Sequence, residues 1–295
     1  MIHLNPAEIP HTKLHQYLLS GIAPRPIAFA STVDASGRPN LSPFSFFNVF
    51  GVNPTTLIFS PSRRSRDGSV KDTLENLKAV PEVVINVVTH DMVNQASLAS
   101  SEYPKGVDEF VKSGFTKLPS EIIKPFRVKE SPMQMECRVR EIIETGTGGG
   151  AANLVICEIL LIHISEDILG EDGMIDQHKI RLVGRLGKDF YVKAFGDALI
   201  EVEKPARNIG IGIDALPEFI RHSAHLTGND LGKLGNLERM PSLEEIEEMR
   251  QSQDITEILE TSCDVYGEVL RLAKAWLDSG HPFKALKILM LLEKI

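Results

Sequence analysis

Cysteine is scarce and scattered: Cys137, Cys157 and Cys263 form no CxxC pair. Thiols so placed exclude a zinc ribbon and a disulfide framework, and read as small apolar core residues. No run of eighteen uncharged apolar residues occurs, which argues against a helical membrane span. Residues 1–20 carry Asn5, Pro6, Glu8 and Pro10 where a secretory leader would have a basic start and an apolar stretch, so a cytoplasmic protein is expected. Positive charge is also short. The 32 Lys and Arg against 40 Asp and Glu leave a formal charge of −8, and residues 237–268 alone hold ten acids against two basic residues. The remainder is near neutral, which excludes the overall basic footprint of a nucleic-acid binder. G-x-S-x-G and H-E-x-x-H are missing, so hydrolase chemistry has no support. The pairs His11/His15 and His222/His225 have spacings that a helix could turn toward one metal. Neither has further ligands clustered near it, and surface histidines with no metal are expected.

What is present is the composition of a soluble globular chain: 295 residues, 42% apolar and 24% charged, enough for one large or two ordinary domains. Short β-type runs dominate from residue 27 to about 193, clearest at 27–33, 56–60, 83–88, 133–143 and 154–164. Asp34-Ala-Ser-Gly37 reads as a hairpin turn, followed by an aromatic-rich run over 41–50. Such spacing favours an antiparallel barrel or sandwich over a parallel sheet. Two helices interrupt it, at 73–79, where Asp72 and Glu75 can form an aspartate version of a capping box, and at 90–99. After residue 195 the character changes to helices at 244–250, 255–277 and 283–293. In the middle one Ile255, Leu259, Cys263, Tyr266, Leu270, Ala273 and Leu277 share a face. The stretch 205–241 reads as a linker or an irregular region covering the barrel. The expected organisation is a β domain over 1–195 and an irregular linker with a helical extension over 196–295.

Three segments could carry chemistry. In Asn40-Leu-Ser-Pro-Phe-Ser-Phe-Phe-Asn48, Ser42 and Ser45 offer hydroxyls while Phe44, Phe46 and Phe47 offer flat apolar surface, a combination suited to a planar heteroaromatic ligand. The plainer alternative, a barrel strand whose phenylalanines are core, is favoured by composition alone. Residues 60–73 follow a strand, open a helix and hold four cations between Arg63 and Lys71. Helix-terminal amides, the hydroxyls of Ser60, Ser62, Ser69 or Thr73 and these charges suit a phosphate or another anion better than a solvated loop. Thr145-Gly-Thr-Gly-Gly-Gly-Ala151 formally matches a dinucleotide fingerprint, but a strand follows where a helix is required. A flexible connection between two strands is the better reading.

The first two segments, in order with Pro24-Arg-Pro-Ile-Ala-Phe-Ala-Ser-Thr32, Lys71-Asp-Thr73 with Asn76, Val84-Ile-Asn-Val87, Gly106-Val-Asp-Glu-Phe110, Glu130-Ser-Pro132 with Glu136-Cys137, and Gly184-Arg-Leu-Gly187 with Tyr191, resemble the flavin reductase-like family of FMN-binding split-barrel proteins. The resemblance spans roughly residues 20 to 195. It implies a mainly β fold, a six-stranded antiparallel split barrel with flanking helices that forms a homodimer and binds FMN near the dimer interface. Ser42, Phe44, Ser45, Phe46 and Phe47 would border the isoalloxazine ring, and Ser60, Arg64, Lys71, Asp72 and Thr73 would surround the phosphate. The choice among Arg63, Arg64 and Arg66 stays open, and Asp72 also reads as a helix cap.

In that family a nicotinamide cofactor, NADH or NADPH, gives hydride to the flavin, so the expected activity is an FMN-dependent NAD(P)H:flavin oxidoreductase or the reductase component of a two-component system. A flavin-dependent monooxygenase is then a candidate electron acceptor. His178 is the candidate for contact with the nicotinamide or flavin edge, weighed against an ordinary surface histidine. Two other readings compete: a non-catalytic flavin-binding electron carrier whose helical tail docks a partner protein, and a barrel for another phosphorylated ring such as pyridoxal phosphate.

Overall fold

In a computed structural model, which describes residues 1–202, 204–205 and 209–294, the chain divides into two compact units, Met1–Ile200 and Glu201–Ile295. The first carries helix α1 (His11–Gly21), then strands β1 (Ala28–Val33), β2 (Pro39–Phe44), β3 (Phe47–Val52) and β4 (Thr55–Phe59). Helix α2 (Asp72–Ala79), strand β5 (Glu82–Val87), helices α3 (Val93–Leu98) and α4 (Glu109–Ser113) and the two-residue strands β6 (Lys117–Leu118) and β7 (Arg127–Val128) follow. The long strands β8 (Met133–Glu144) and β9 (Asn153–Ile164), helix α5 (Gln177–Ile180) and the hairpin of β10 (Leu182–Arg185) and β11 (Tyr191–Ala194) complete it.

One antiparallel sheet runs in the order β2-β1-β5-β8-β9-β4-β3. It has seven strands, not the expected six, because the run at 41–50 is two strands rather than one. The chain leaves β2 at Phe44 and enters β3 at Phe47 on the opposite edge of the sheet. The sheet curls so that its ends approach, with the rings of Phe44 and Phe59 5.7 Å apart. Alternate residues from each central strand, among them Ala28, Ala30, Leu57, Ile85, Met135, Cys137, Val155 and Cys157, fill the inside. Both early cysteines are thus core residues, as their spacing suggests.

Strand β1 is buried at every position, since its other face is covered too. Phe29 packs with Leu41, Met92, Ala96, Phe110 and Phe115, so that α3 and α4 form an outer layer. Helix α2 docks through Leu74 and Leu77 and through a buried polar relay: Asn40 donates to Thr73 Oγ1 at 3.0 Å and Asn76 to Thr32 Oγ1 at 3.1 Å. The capping-box reading of this helix is corrected. Lys71 is the N-cap and makes no side-chain cap bond, Asp72 is already helical, and Glu75 pairs with Lys105.

The second unit contains α6 (Glu218–Arg221), α7 (Gly228–Gly235), α8 (Leu243–Arg250), α9 (Gln253–Thr261), α10 (Val265–Asp278) and α11 (Pro282–Leu289). Two sequence readings change here. Leu216, Ile220, Leu226 and Leu234, inside the supposed linker 205–241, are buried in the helical core, while residues 206–208 of that stretch lie outside the described residues. The single helix expected at 255–277 is two. Asp264 accepts from Gly267 N at 3.0 Å and its own N–H donates to Ser262 Oγ at 3.0 Å, ending one helix and capping the next. Ile255, Leu270, Ala273 and Leu277 are buried, but Cys263 and Tyr266 on the supposed common face are exposed. True capping boxes occur at Thr227 with Asp230 and at Ser242 with Glu245. Among the described residues no helix is long and apolar enough to cross a membrane.

Within the first unit, fully buried Glu136 ties the segment before β7 to β8. Its carboxylate accepts from Glu121 N at 2.8 Å and Ile122 N at 2.9 Å, and it pairs with His163 Nε2 at 2.8 Å. Burial raises its pKa, but these two N–H donors and His163 outweigh that and leave it below the ordinary glutamate value. A depressed folded value stabilises above the unfolded pKa, and that stability is lost as pH falls through the folded value. Glu136→Gln should therefore cost about 1–3 kcal/mol at neutral pH. In urea denaturation the gap from wild type should close as pH is lowered below the ordinary glutamate range.

Candidate binding groove

The side chains at the β2–β3 corner have different fates. Phe44, last in β2, is buried against the barrel interior, whereas Phe46 is 44% exposed and offers its ring to solvent. Between them, Ser45 is held by Arg25, whose Nε donates to Ser45 Oγ at 3.3 Å. The Arg25 guanidinium is buried among carbonyls, donating to Leu19 O at 2.6 Å, Ile22 O at 2.8 Å and Leu186 O at 3.0 Å. Burial, and then the charge of Arg185, pull its pKa down. From the other side Ser60 N donates to Phe46 O at 2.9 Å, fixing the corner to the end of β4.

Against this corner lies the cationic loop between β4 and α2, and together they enclose a groove of about 480 Å³. Its polar wall comes from Ser60, Ser62, Arg64, Arg66 and Lys71, with Glu102 from the connection between α3 and α4. Ser60 Oγ and Ser62 Oγ lie 3.3 Å apart. The three arginines differ. Arg63 is committed to Glu144 at 2.9 Å and Gly68 O at 3.0 Å, although its Nε is buried without a partner. Arg64 reaches Ser69 Oγ at 3.3 Å, the Val70 carbonyl and Glu102, and Arg66 reaches Glu102 at 3.2 Å. The Lys71 amine sits 5.2 Å from the Phe44 ring centre and, among the described residues, has no hydrogen bond or ion pair. Its pKa is lowered by burial first and by Arg64 second, with Glu102 opposing.

The glycine-rich segment 145–151 does join two strands, β8 and β9, but it is packed rather than free. Gly150 N donates to Arg63 O at 3.1 Å and Arg63 N to Ala151 O at 2.9 Å. A Cβ on Gly149 would fall 2.5 Å from Ser65 O. Glycine lets one backbone lie on the other there, which shapes the cationic loop.

Of the residues singled out in the sequence, Phe44, Ser45, Phe46, Ser60, Ser62, Arg63, Arg64, Arg66 and Lys71 line this groove. The others lie elsewhere. Ser42 sits within β2 opposite Ala30, and Phe47 packs on the barrel core. Thr73 is enclosed in the relay with Asn40, and Asp72 faces a small separate hollow with Arg38 and Lys105. His178 is exposed on α5, its backbone N–H held by Asp176 at 2.7 Å, and does not line the groove. Arg25 and Glu102 were missed, because Ser45 and Leu186 O for the one, and Arg64 and Arg66 for the other, are remote in sequence. Among the described residues no group of three or more His, Cys, Asp or Glu is placed to share a metal.

The first unit has relatives among known proteins. An uncharacterized protein of Aquifex aeolicus is 35% identical over 189 residues, 64% of this chain and 94% of that one. Among solved structures, nitrilotriacetate monooxygenase component B from Bacillus cereus is similar at 28% identity and a TM-score of 0.64, covering 68% of this chain and 98% of its own. A split-barrel protein from Shewanella frigidimarina, at 24% identity and a TM-score of 0.59, covers 69% of this chain and 100% of its own, and supports the fold alone. The model of the flavin reductase like domain matches residues 20–182 and leaves the helical unit outside. With more than half of its length matched in this way, the chain belongs to the flavin reductase-like family.

Proposed function

We propose that the protein is an FMN-dependent NAD(P)H:flavin oxidoreductase, acting as the reductase component of a two-component system. The observation that carries this reading is the half-buried Lys71 amine, unpartnered among the described residues, beside a flat aromatic surface and a pair of serine hydroxyls. A desolvated cation in that position favours an anionic group, and a phosphate joined to a planar ring has the matching form. Lys71, Arg64, Ser60 and Ser62 would hold the phosphate. Phe46 would cover the ring, and Ser45 would meet its polar edge. Because Arg25 donates to Ser45 Oγ, the hydroxyl proton is free to point into the groove, so Ser45 would donate to a ring acceptor. Bound FMN would supply a ring that accepts hydride from NADH or NADPH and passes electrons to an acceptor such as a flavin-dependent monooxygenase. The protein's own task is alignment and hydrogen bonding, for which no acid–base pair is required. His178 remains a proposed contact for the nicotinamide. The similar protein from Bacillus cereus is named as a monooxygenase component, which supports the two-component role.

A homodimer belongs to the same reading. Edge strand β3 exposes Val49, Phe50 and Val52 at 48%, 65% and 83%, an apolar sheet edge that a second copy would cover.

Titrating the protein with FMN should give a saturable visible spectrum that anaerobic NADH or NADPH bleaches. Tight binding without bleaching would overturn the reductase reading, and preference for pyridoxal phosphate would overturn the flavin reading. Lys71→Ala should weaken FMN about tenfold or more while leaving riboflavin, which lacks the phosphate, nearly unchanged in fluorescence titration. Since the lowered lysine pKa marks where the cation is lost, FMN affinity should fall as pH rises through a value below that of ordinary lysine, and the Ala variant should lack that fall. Phe50→Asp should shift the sedimenting species from dimer to monomer.

A further inference from the structure

We propose that Glu102 is an electrostatic gate on the groove: its carboxylate, seated on Arg64 and Arg66, competes with the phosphate of a flavin nucleotide for those guanidiniums and so favours exchange over retention. This rests on the flavin reading above and deepens it, since it concerns whether the nucleotide stays bound or turns over with the acceptor.

The geometry is specific to this residue. Glu102 Oε1 lies 3.5 Å from Arg64 Nε, and Oε2 lies 3.2 Å from Arg66 Nη2. The other nearby carboxylates are engaged differently. Glu144 sits on Arg63 and Lys78, outside the groove lining. Asp67 reaches Arg66 Nε only at 3.6 Å, while its Oδ1 accepts from Ser69 N at 2.9 Å and Ser69 Oγ at 2.6 Å. Glu102 is therefore the acid that lines the groove and spans two of its cations among the described residues.

Its side chain is 56% exposed, and Arg66 is 72% exposed. Exposed ion pairs of this kind are weak, so a phosphate dianion can displace the carboxylate, yet each binding event must first break the pair. The displaced carboxylate also stays near the phosphate and repels it. Its field reaches the base of the groove, where Glu102 opposes the lowering of the Lys71 pKa by burial and Arg64. Neutralising Glu102 would leave Arg64, Arg66 and Lys71 to the nucleotide alone.

The test is Glu102→Gln in the full chain, with FMN and riboflavin titrated in parallel by flavin fluorescence and FMN release followed by stopped flow. The expected result is FMN affinity higher by about fivefold to tenfold, with slower release and riboflavin affinity changed less than about twofold. Unchanged or weaker FMN binding would overturn the gate, as would equal tightening of riboflavin, which would mean that Glu102 acts on the ring. Should wild type bind neither flavin, the flavin reading itself falls. The gate is then judged by calorimetry with inorganic pyrophosphate: tighter binding by the Gln variant supports it, and equal binding overturns it.

Discussion

Two residues cannot join opposite edges of a sheet unless something holds the chain at the bend, and at Ser45–Phe46 the bend is held from both sides. Arg25, itself clamped by three backbone carbonyls, anchors the serine, and the amide of Ser60 anchors the Phe46 carbonyl. A buried guanidinium is tolerated there because its donors are paired. This one constraint lets the sheet curl, sends Phe44 inward and leaves Phe46 facing out. The hydrophobic closure of the barrel and the aromatic wall of the groove are thus consequences of a single polar clamp.

The second wall depends on contact between backbones. Gly149 and Gly150 allow the β8–β9 connection to lie directly on the cationic loop, while Arg63 uses its own backbone and side chain to join them. All four cations of the loop line the groove, but Arg63 is also tied to Glu144 and Gly68 O, and Arg64 to Ser69 and the Val70 carbonyl. Charge that looks uniform in the sequence is divided by these contacts, with Arg63 and Arg64 bracing the loop while the Lys71 amine has no hydrogen bond or ion pair among the described residues.

Much of this was legible in the sequence, and the failures have physical causes. Period-two runs located the central strands because their alternate residues enter one apolar interior. The 41–50 run misled because a corner within aromatic residues carries no glycine to mark it. The helix expected at 255–277 misled because apolar spacing continues through Asp264, whose side chain nevertheless caps a new helix. Of the residues that line the groove, Phe44, Ser45, Phe46, Ser60 and Lys71 were singled out by residue type, and Arg64 by the family resemblance. Thr73 has the same polar character as a phosphate ligand, but its hydroxyl is taken by Asn40, a tertiary partner that local sequence does not disclose. Arg25 reaches Ser45 and Leu186 O, and Glu102 reaches Arg64 and Arg66, all of them distant in sequence.

The unpaired amine of Lys71 has a further consequence. Arg64 and Lys71 repel each other across a partly desolvated space, and Glu102 offsets this only in part, without forming an ion pair with the lysine. The native fold therefore retains local frustration at this groove, where sequence selected for stability alone would have placed a methionine or a partner acid. An anion in the groove would relieve that frustration, so part of the free energy that finishes folding would be deferred to the moment of binding.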